Sequence, residues 1–378
     1  MTFSASAIGE DRLSAAEGAS TLPPRSASLP LSEFETLDAL VHSWRRLESS
    51  ASLPLQSHAF ASALSSTLLS EAQPHVFFVP DPTGAAALLP LFRCKGPLAR
   101  WRMVGEAVFE PGDALLRSPD AARPLAREIV RTGRPLDLER IPADSPLVPA
   151  LKEAMRGRGL VSVRPFRPRP TIPLDARWKD PVSCFNSGRR SDFRRAERRA
   201  REFGQVSFEV RSPTPGEFDG LFDEAVAVEE RSWKKDCGTA IASDRTKEEF
   251  FRRYFRVASE QGEFRLAFMR IDGRIVAMQM ALESLGRYWL FKIGFDEEFG
   301  RCSPGTLLML HTIGWAAQRE LRSYELLGNV EPWIAQFWTR EQHECVCLRA
   351  YPFNLAGAAA FVVDALEWLR ARVRRARA

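Results

Sequence analysis

The run KIGFDEEFGRCSPGTLLML, Lys292 to Leu310, sets the reading of the whole chain. Its first residues end a strand that starts near Tyr288. A polar loop follows, and then Ser303-Pro304-Gly305-Thr306 opens an apolar helix. Ser303 is placed as N-cap and Pro304 as the first helical residue, where a missing N–H costs nothing. Gly305 has no Cβ, so a ligand can come close to the first turn. The unmade N–H bonds of that turn and the helix dipole favour an anion, and Arg301 adds a positive charge just ahead of the cap. The plain alternative is that these residues only start a buried helix.

Working outward, Phe264–Arg270 and Ile275–Leu282 flank Asp272-Gly273, a strong hairpin signal, and Tyr288–Phe295 makes a third adjacent strand. Upstream lie a basic helix (Asn186–Phe203), a strand (Val206–Val210) and two helices (near Pro215–Arg231 and Arg245–Glu260). Downstream come a helix to about Leu321, a strand (Ser323–Leu327), a helical turn (Glu331–Trp338) and a last strand (Glu344–Tyr351). An antiparallel meander feeding a β-α-β unit excludes an all-parallel doubly wound sheet. The first half reads as a shorter version: helix, hairpin (His75–Asp81 and Ala86–Phe92), strand, helix, strand. That implies structural duplication without a sequence repeat. The expected class is α/β of the α+β kind, two units that are each a mostly antiparallel mixed sheet flanked by helices.

The boundaries follow from composition. Residues 1–30 are rich in Ser, Ala and Pro and predict a disordered leader. A first unit spans 31–175 and a second 181–353. The Pro- and Arg-rich stretch Phe166–Asp180 is the crossing between them. A basic helix occupies 355–378.

The 378 residues carry 53 Lys and Arg against 48 Asp and Glu, a net charge of +5. The excess sits in two Arg clusters, and the bulk value alone does not argue for nucleic acid. The six cysteines show no CxxC spacing and the five histidines no i, i+4 pair, so no metal is expected. With no apolar run of membrane-spanning length and no secretory pattern, a cytoplasmic protein is expected.

The Lys292–Leu310 run resembles the pyrophosphate loop of GNAT-superfamily acetyltransferases, whose motif is Arg/Gln-x-x-Gly-x-Gly/Ala. Arg301 matches the first position and Pro304 departs at the first Gly. More specifically the chain is similar to the CelD-like GNAT family, related to Fem-type aminoacyltransferases. The shared features are Gly294-Phe295-Asp296 before the Ser-Pro-Gly start, Trp233-Lys234 upstream, Glu325-Leu326-Leu327-Gly328 downstream, and the Arg-rich helix from Arg189 to Arg201. The likeness covers about Pro181 to Phe353; the first half is similar to the companion domain of tandem members in strand order only. The family's Tyr-Lys pair after that Gly is missing: the chain reads Asn329-Val330-Glu331-Pro332-Trp333.

The resemblance implies an acetyl-CoA or other acyl-CoA cosubstrate, no metal, and transfer to an amine acceptor such as an amino sugar or envelope polysaccharide precursor. It places CoA contacts on Ile293, Gly294, Arg301, Ser303, Pro304, Gly305 and Thr306. Asp296 and Glu325 are the candidate bases; the competing roles are a loop-capping carboxylate and an Arg partner. Acceptor contacts fall to Glu229, Glu230, Trp233, Lys234, Asn329 and Trp333, with core packing as the other reading of Trp233. Lys292 is either solvated or neutralises a buried carboxylate. The Arg190, Arg194, Arg198, Arg201 face is either solvated or meets an anion, such as a tRNA acceptor in a Fem-like transferase. The tail helix, apolar on one side and Arg-rich, could lie on a membrane surface. A third reading is a degenerate fold with a cleft blocked by Trp333.

Overall fold

The hairpin at Asp272-Gly273 forms as its turn chemistry dictates, both residues taking positive φ, 48° and 81°. It anchors the second of two sheets in a computed structural model that describes residues 27–82, 84–93, 96, 99–232, 241–328 and 332–377. The strands of the first half are β1 (Ala27–Pro30), β2 (His75–Asp81), β3 (Gly84–Arg93), β4 (Trp101–Met103), β5 (Leu115–Leu116), β6 (Leu136–Pro142), β7 (Gly159–Pro165) and β8 (Arg169–Pro173). Those of the second half are β9 (Val206–Arg211), β10 (Phe264–Ile271), β11 (Arg274–Ser284), β12 (Arg287–Phe295), β13 (Ser323–Leu326), β14 (Gln342–His343) and β15 (Cys345–Pro352).

One sheet runs β1-β2-β3-β4-β6-β15-β7, with β5 on β3; the other runs β9-β10-β11-β12-β13-β8-β14. Among the described residues each holds a single parallel pair, β4 with β6 and β12 with β13. Each pair is spanned by a helix, Ala122–Arg131 in the first and Pro304–Gln318 in the second. The two sheets therefore correspond strand for strand, the mixed α/β architecture expected from the element order.

The correspondence includes an exchange that the sequence reading missed. The Glu344–Tyr351 strand, expected in the second unit, is β15 and lies between β6 and β7 of the first sheet. In return β8, hidden in the presumed crossing, lies between β13 and β14 of the second. The expected division at 175/181 puts both strands on the wrong side. Its proline content disguised β8, since prolines lack the N–H that a ladder needs. Pro170 and Pro173 are tolerated because β14 is only two residues long and β8 meets β13 over three. Ala27–Pro30, expected in the leader, pairs with β2 instead; residues 1–26 of that leader lie outside the described residues.

The halves also share a core. Leu53, Leu55, Phe60 and Leu64 of the first pack among Phe218, Phe222, Phe250, Tyr254 and Phe255 of the second. Phe60 meets Phe250 and Tyr254 edge-on at 5.7 and 5.2 Å, the arrangement aromatic quadrupoles favour. The basic helix Ser187–Phe203 is capped by Asn186, whose side chain accepts from Arg189 N. Of its residues only Phe193 and Ala200 are buried. Its Arg190, Arg194 and Arg198 are exposed. The helix Leu355–Arg377 is tied to the first sheet through Asp364, which accepts from Arg100 at 2.7 Å and Tyr351 Oη at 2.6 Å. Among the described residues no helix is long and apolar enough to cross a membrane.

Candidate functional site

The strands β12 and β13 pair in parallel through Tyr288–Tyr324, Trp289–Glu325 and Leu290–Leu326, and there the ladder stops. Opposite, β11 shifts register: Met280 faces Lys292 while Ala281 faces Leu290, which leaves Phe291 as an extra residue. A bulge bends its strand and sharpens its twist. It falls where β12 leaves β13, so Lys292–Phe295 continues beyond the end of its neighbour.

At the end of β12, Asp296 caps a 3-10 turn, Glu297–Cys302. Ser303 then takes a left-handed conformation, φ 49° and ψ 56°, and Pro304 begins the helix as its N1 residue. The expected cap position is right but the expected capping bond is not. The Ser303 side chain makes no cap hydrogen bond; its carbonyl instead accepts from Thr306 N at 3.0 Å and Leu307 N at 3.2 Å. Pro304 has no N–H, so Gly305 carries the amide of this turn with no acceptor among the described residues. Arg301 is exposed beside it, with no side-chain partner there, and its carbonyl accepts from Arg199 Nη1 at 3.3 Å. The turn thus offers one free amide, the helix dipole and one uncommitted guanidinium, fewer donors than a full first turn.

A cavity of about 390 Å³ runs from this turn along β12. Ile293, Gly294, Phe295, Gly305 and Thr306 line it, with Trp333 and Trp338 among its other walls. Four of the seven expected CoA-contact residues, Ile293, Gly294, Gly305 and Thr306, thus share one cavity, while Arg301, Ser303 and Pro304 do not line it. Trp333, 38% exposed, forms a wall and leaves the cavity open. Gln279 also lines it; its Oε1 accepts from the Thr312 and Tyr324 hydroxyls at 2.9 and 3.1 Å. Gly294 is needed on the other side too, because a Cβ there would sit 3.0 Å from Glu229 Cα.

The expected bases are both engaged elsewhere. Asp296 is buried and accepts from Arg231 Nε and Arg274 Nη2, each at 2.7 Å. Burial pushes its pKa up, but these two arginines win and hold it below the ordinary value. Glu325, 1% exposed, accepts from Ser323 Oγ at 2.6 Å, His343 Nε2 at 3.0 Å and Arg287 Nη1 at 3.3 Å. Burial again opposes, and the His343 and Ser323 bonds bring its pKa below normal. Two carboxylates kept ionised by fixed partners are poor proton acceptors, so the structural role stands for each. Glu229 is fully buried and accepts from Ile241 N at 2.8 Å, whereas Glu230 is exposed. Trp233, Lys234 and Asn329 lie outside the described residues.

Sequence reading missed a second polar cluster on the other face of β12. Lys292 points there, its Nζ 4.4 Å from the centre of the Phe251 ring. Glu110 of the first half faces it, with Arg140 and Arg169. Burial pushes the Glu110 carboxyl up to about 7, against the pull of Arg140, Lys292 and Arg169. Lys292 thus takes the carboxylate-neutralising role. Arg140 bridges the halves, donating to Phe109 O and, at 2.6 Å, to Gly328 O just past β13. Phe109 and Arg140 both hold positive φ, 61° and 56°, a cost that bulky residues bear where the surroundings fix them. Neither the spacing of these residues nor any motif joins them. The one readable signal is the group of charges Asp137, Glu139 and Arg140 inside a strand whose other residues are apolar. Asp137, Glu139 and Cys347 come within 4.8 Å of one another, but Asp137 is already paired with Arg349 at 2.9 Å.

Comparison with known proteins agrees with this geometry. The family model of the acetyltransferase (GNAT) domain matches residues 187–333, which include every residue named here as lining the cavity except Trp338. The C-terminal domain of a protein assigned as a lysylphosphatidylglycerol synthetase from Agrobacterium fabrum is 14% identical. That alignment covers 89% of this chain and 96% of that one, with a TM-score of 0.52. FemX is 12% identical over 83% and 96%, also at 0.52. A conserved protein of unknown function from Bacteroides thetaiotaomicron is 10% identical over 86% and 98%, at 0.50. At such identities the likeness is one of fold. No curated protein matches the chain.

The two glycines of the cavity should respond differently to a side chain. Gly294→Val, forced against Glu229, is expected to lower unfolding free energy by about 1–3 kcal/mol in urea titrations. Gly305→Ala, whose Cβ meets only Phe295 Cδ1 at 3.4 Å, should leave the midpoint unchanged. Equal losses would contradict this packing.

Proposed function

We propose that the chain transfers an acyl group from a CoA thioester to an amine. The observation that carries the reading is the continuity of the cavity, from the unbonded Gly305 amide to the point where β12 outruns β13. A diphosphate suits the first end, and an extended pantetheine arm suits an apolar groove along a strand. The match of residues 187–333 to a GNAT acetyltransferase domain supports the same donor. The acceptor is proposed as an amino sugar or polysaccharide precursor, on the CelD-like features of the sequence.

In this reading the amine approaches β12 from the face opposite the cavity, where Glu110 lies. Its nitrogen attacks the thioester carbonyl as the amine proton passes to Glu110. The C–S bond then breaks, the thiolate leaves, and the amide remains. A carboxyl poised at about 7 is suited to that exchange. Holding both reactants at one strand supplies much of the acceleration.

An aminoacyl-tRNA donor is the second reading. It is favoured by the exposed Arg190, Arg194 and Arg198 on one helix face, which have no ion-pair partner among the described residues. We further propose contact of the helix Leu355–Arg377 with an anionic membrane surface. Phe361, Val362, Leu366, Trp368 and Leu369 are each about half exposed on it, beside Arg370, Arg372 and Arg374.

Calorimetry with acetyl-CoA and with bulk tRNA separates the donors. Acetyl-CoA should bind the wild type and fail to bind Gly305→Trp; tRNA binding indifferent to that substitution, without CoA binding, would establish the second reading. With turnover in hand, kcat/KM should rise with pH through about 7 as Glu110 ionises. Glu110→Gln should lower it by about 100-fold or more at pH 8 and leave the acetyl-CoA Kd unchanged. An unaltered rate would remove Glu110 from the chemistry. Sedimentation with phosphatidylglycerol vesicles should capture the chain at low salt, and Trp368→Glu should release it; capture insensitive to that change would count against the membrane contact.

A further inference from the structure

The cluster between the two halves holds more cationic hydrogen-bonding capacity than the protein uses. Arg169 and Thr171 are two apart on β8 and so share one face. Cross-strand pairing sets Thr171 beside Glu325 and Arg169 beside His343. Arg169 is 4% exposed, yet its Nε and Nη1 have no hydrogen-bond partner among the described residues. Neither has the Thr171 hydroxyl, 6% exposed, nor Nε of Arg140, 3% exposed. Glu110 Oε2 is also unbonded, 3.8 Å from Arg140 Nη1. Leaving charged donors buried and unmet is costly, and proteins keep such groups where a ligand or water completes them.

The charges give the sign of that ligand. Glu325 is consumed by Ser323, His343 and Arg287. Arg169 acts on both Glu325 and Glu110, and Arg140 and Lys292 act on Glu110, so with Arg287 on Glu325 four cations meet two carboxyls among the described residues and the cluster is positive. A neutral or cationic group would gain nothing from the unmet N–H bonds. One further negative charge, with lone pairs for Arg169 and Thr171, would complete them. A doubly charged group would overshoot beside two buried carboxyls.

We infer that this cluster binds a carboxylate on the acceptor itself, so that the substrate is an amine whose own molecule is acidic, such as an amino acid or an acidic amino sugar. The inference rests on the proposed acyl transfer for the word acceptor, but the site stands on Arg169, Thr171 and Arg140. Its position fits: Arg140 holds Gly328 just past β13, and Lys292 lies on the β12 segment that outruns β13. An acid fixed here would hold its amine toward Glu110 and the end of the parted strands.

The test needs no cofactor. The full chain is followed by thermal unfolding while sodium acetate, acetamide or inorganic phosphate replaces chloride at constant ionic strength. Acetate at about ten times its Kd should raise the Tm by about 2–3 °C, and acetamide should not. Arg169→Met should abolish the acetate shift and Thr171→Val should weaken it; the second variant, nearly isosteric, keeps the test valid if the first fails to fold. No acetate shift in the wild type, a shift retained in both variants, or a larger response to phosphate would overturn the carboxylate assignment. Acetyl-CoA calorimetry on the same preparation is scored separately. Its failure would defeat the donor reading while leaving the acetate result intact.

Discussion

The reciprocal exchange of β8 and β15 is the constraint on which the rest depends. Each sheet has a slot that only a strand from the other half fills, and neither half can close its hydrogen-bond ladder alone. The strands that fill the slots also carry the polar groups of the interface: Arg169 and Thr171 on β8, Cys345 at the start of β15 beside Arg140. The exchange therefore fixes the relative placement of the halves more firmly than a shared apolar core could, because ladder register admits no sliding.

Onto that frame one local irregularity adds the cavity. The Phe291 bulge lets β12 run past β13, and the left-handed Ser303 turns the chain back so that Pro304 starts a helix at the mouth. The face of β12 toward that helix is apolar, apart from Gln279 on the adjacent strand. The opposite face gathers Lys292, Glu110, Arg140 and Arg169. A groove that accepts a long, mostly apolar arm on one side and an ionic group on the other is what a transferase with two dissimilar substrates requires.

Much of this was legible in the residues. The hairpin at Asp272-Gly273, the Pro304 start and the β-α-β unit were each announced by local chemistry, and four of the CoA contacts implied by the resemblance line the cavity. What failed was anything decided at long range. Asp296 and Glu325 stood in the right places for bases, but the arginines and histidine that hold them come from elsewhere in the sequence. β8 was unreadable because its prolines argue against a strand unless a two-residue edge neighbour makes few demands. Glu110 and Arg169 gain their meaning only from burial against each other, which no spacing encodes.

The exchange also bears on how the chain is made. β15 enters the first sheet between two strands that are synthesised far earlier, so that sheet keeps an open seam while the entire second half emerges from the ribosome. During that interval β6 and β7 present unpaired edges of the sort that recruit stray strands. A segment that must wait so long for its partner is where assembly would favour a chaperone, or a second copy of the chain lending its own last strand.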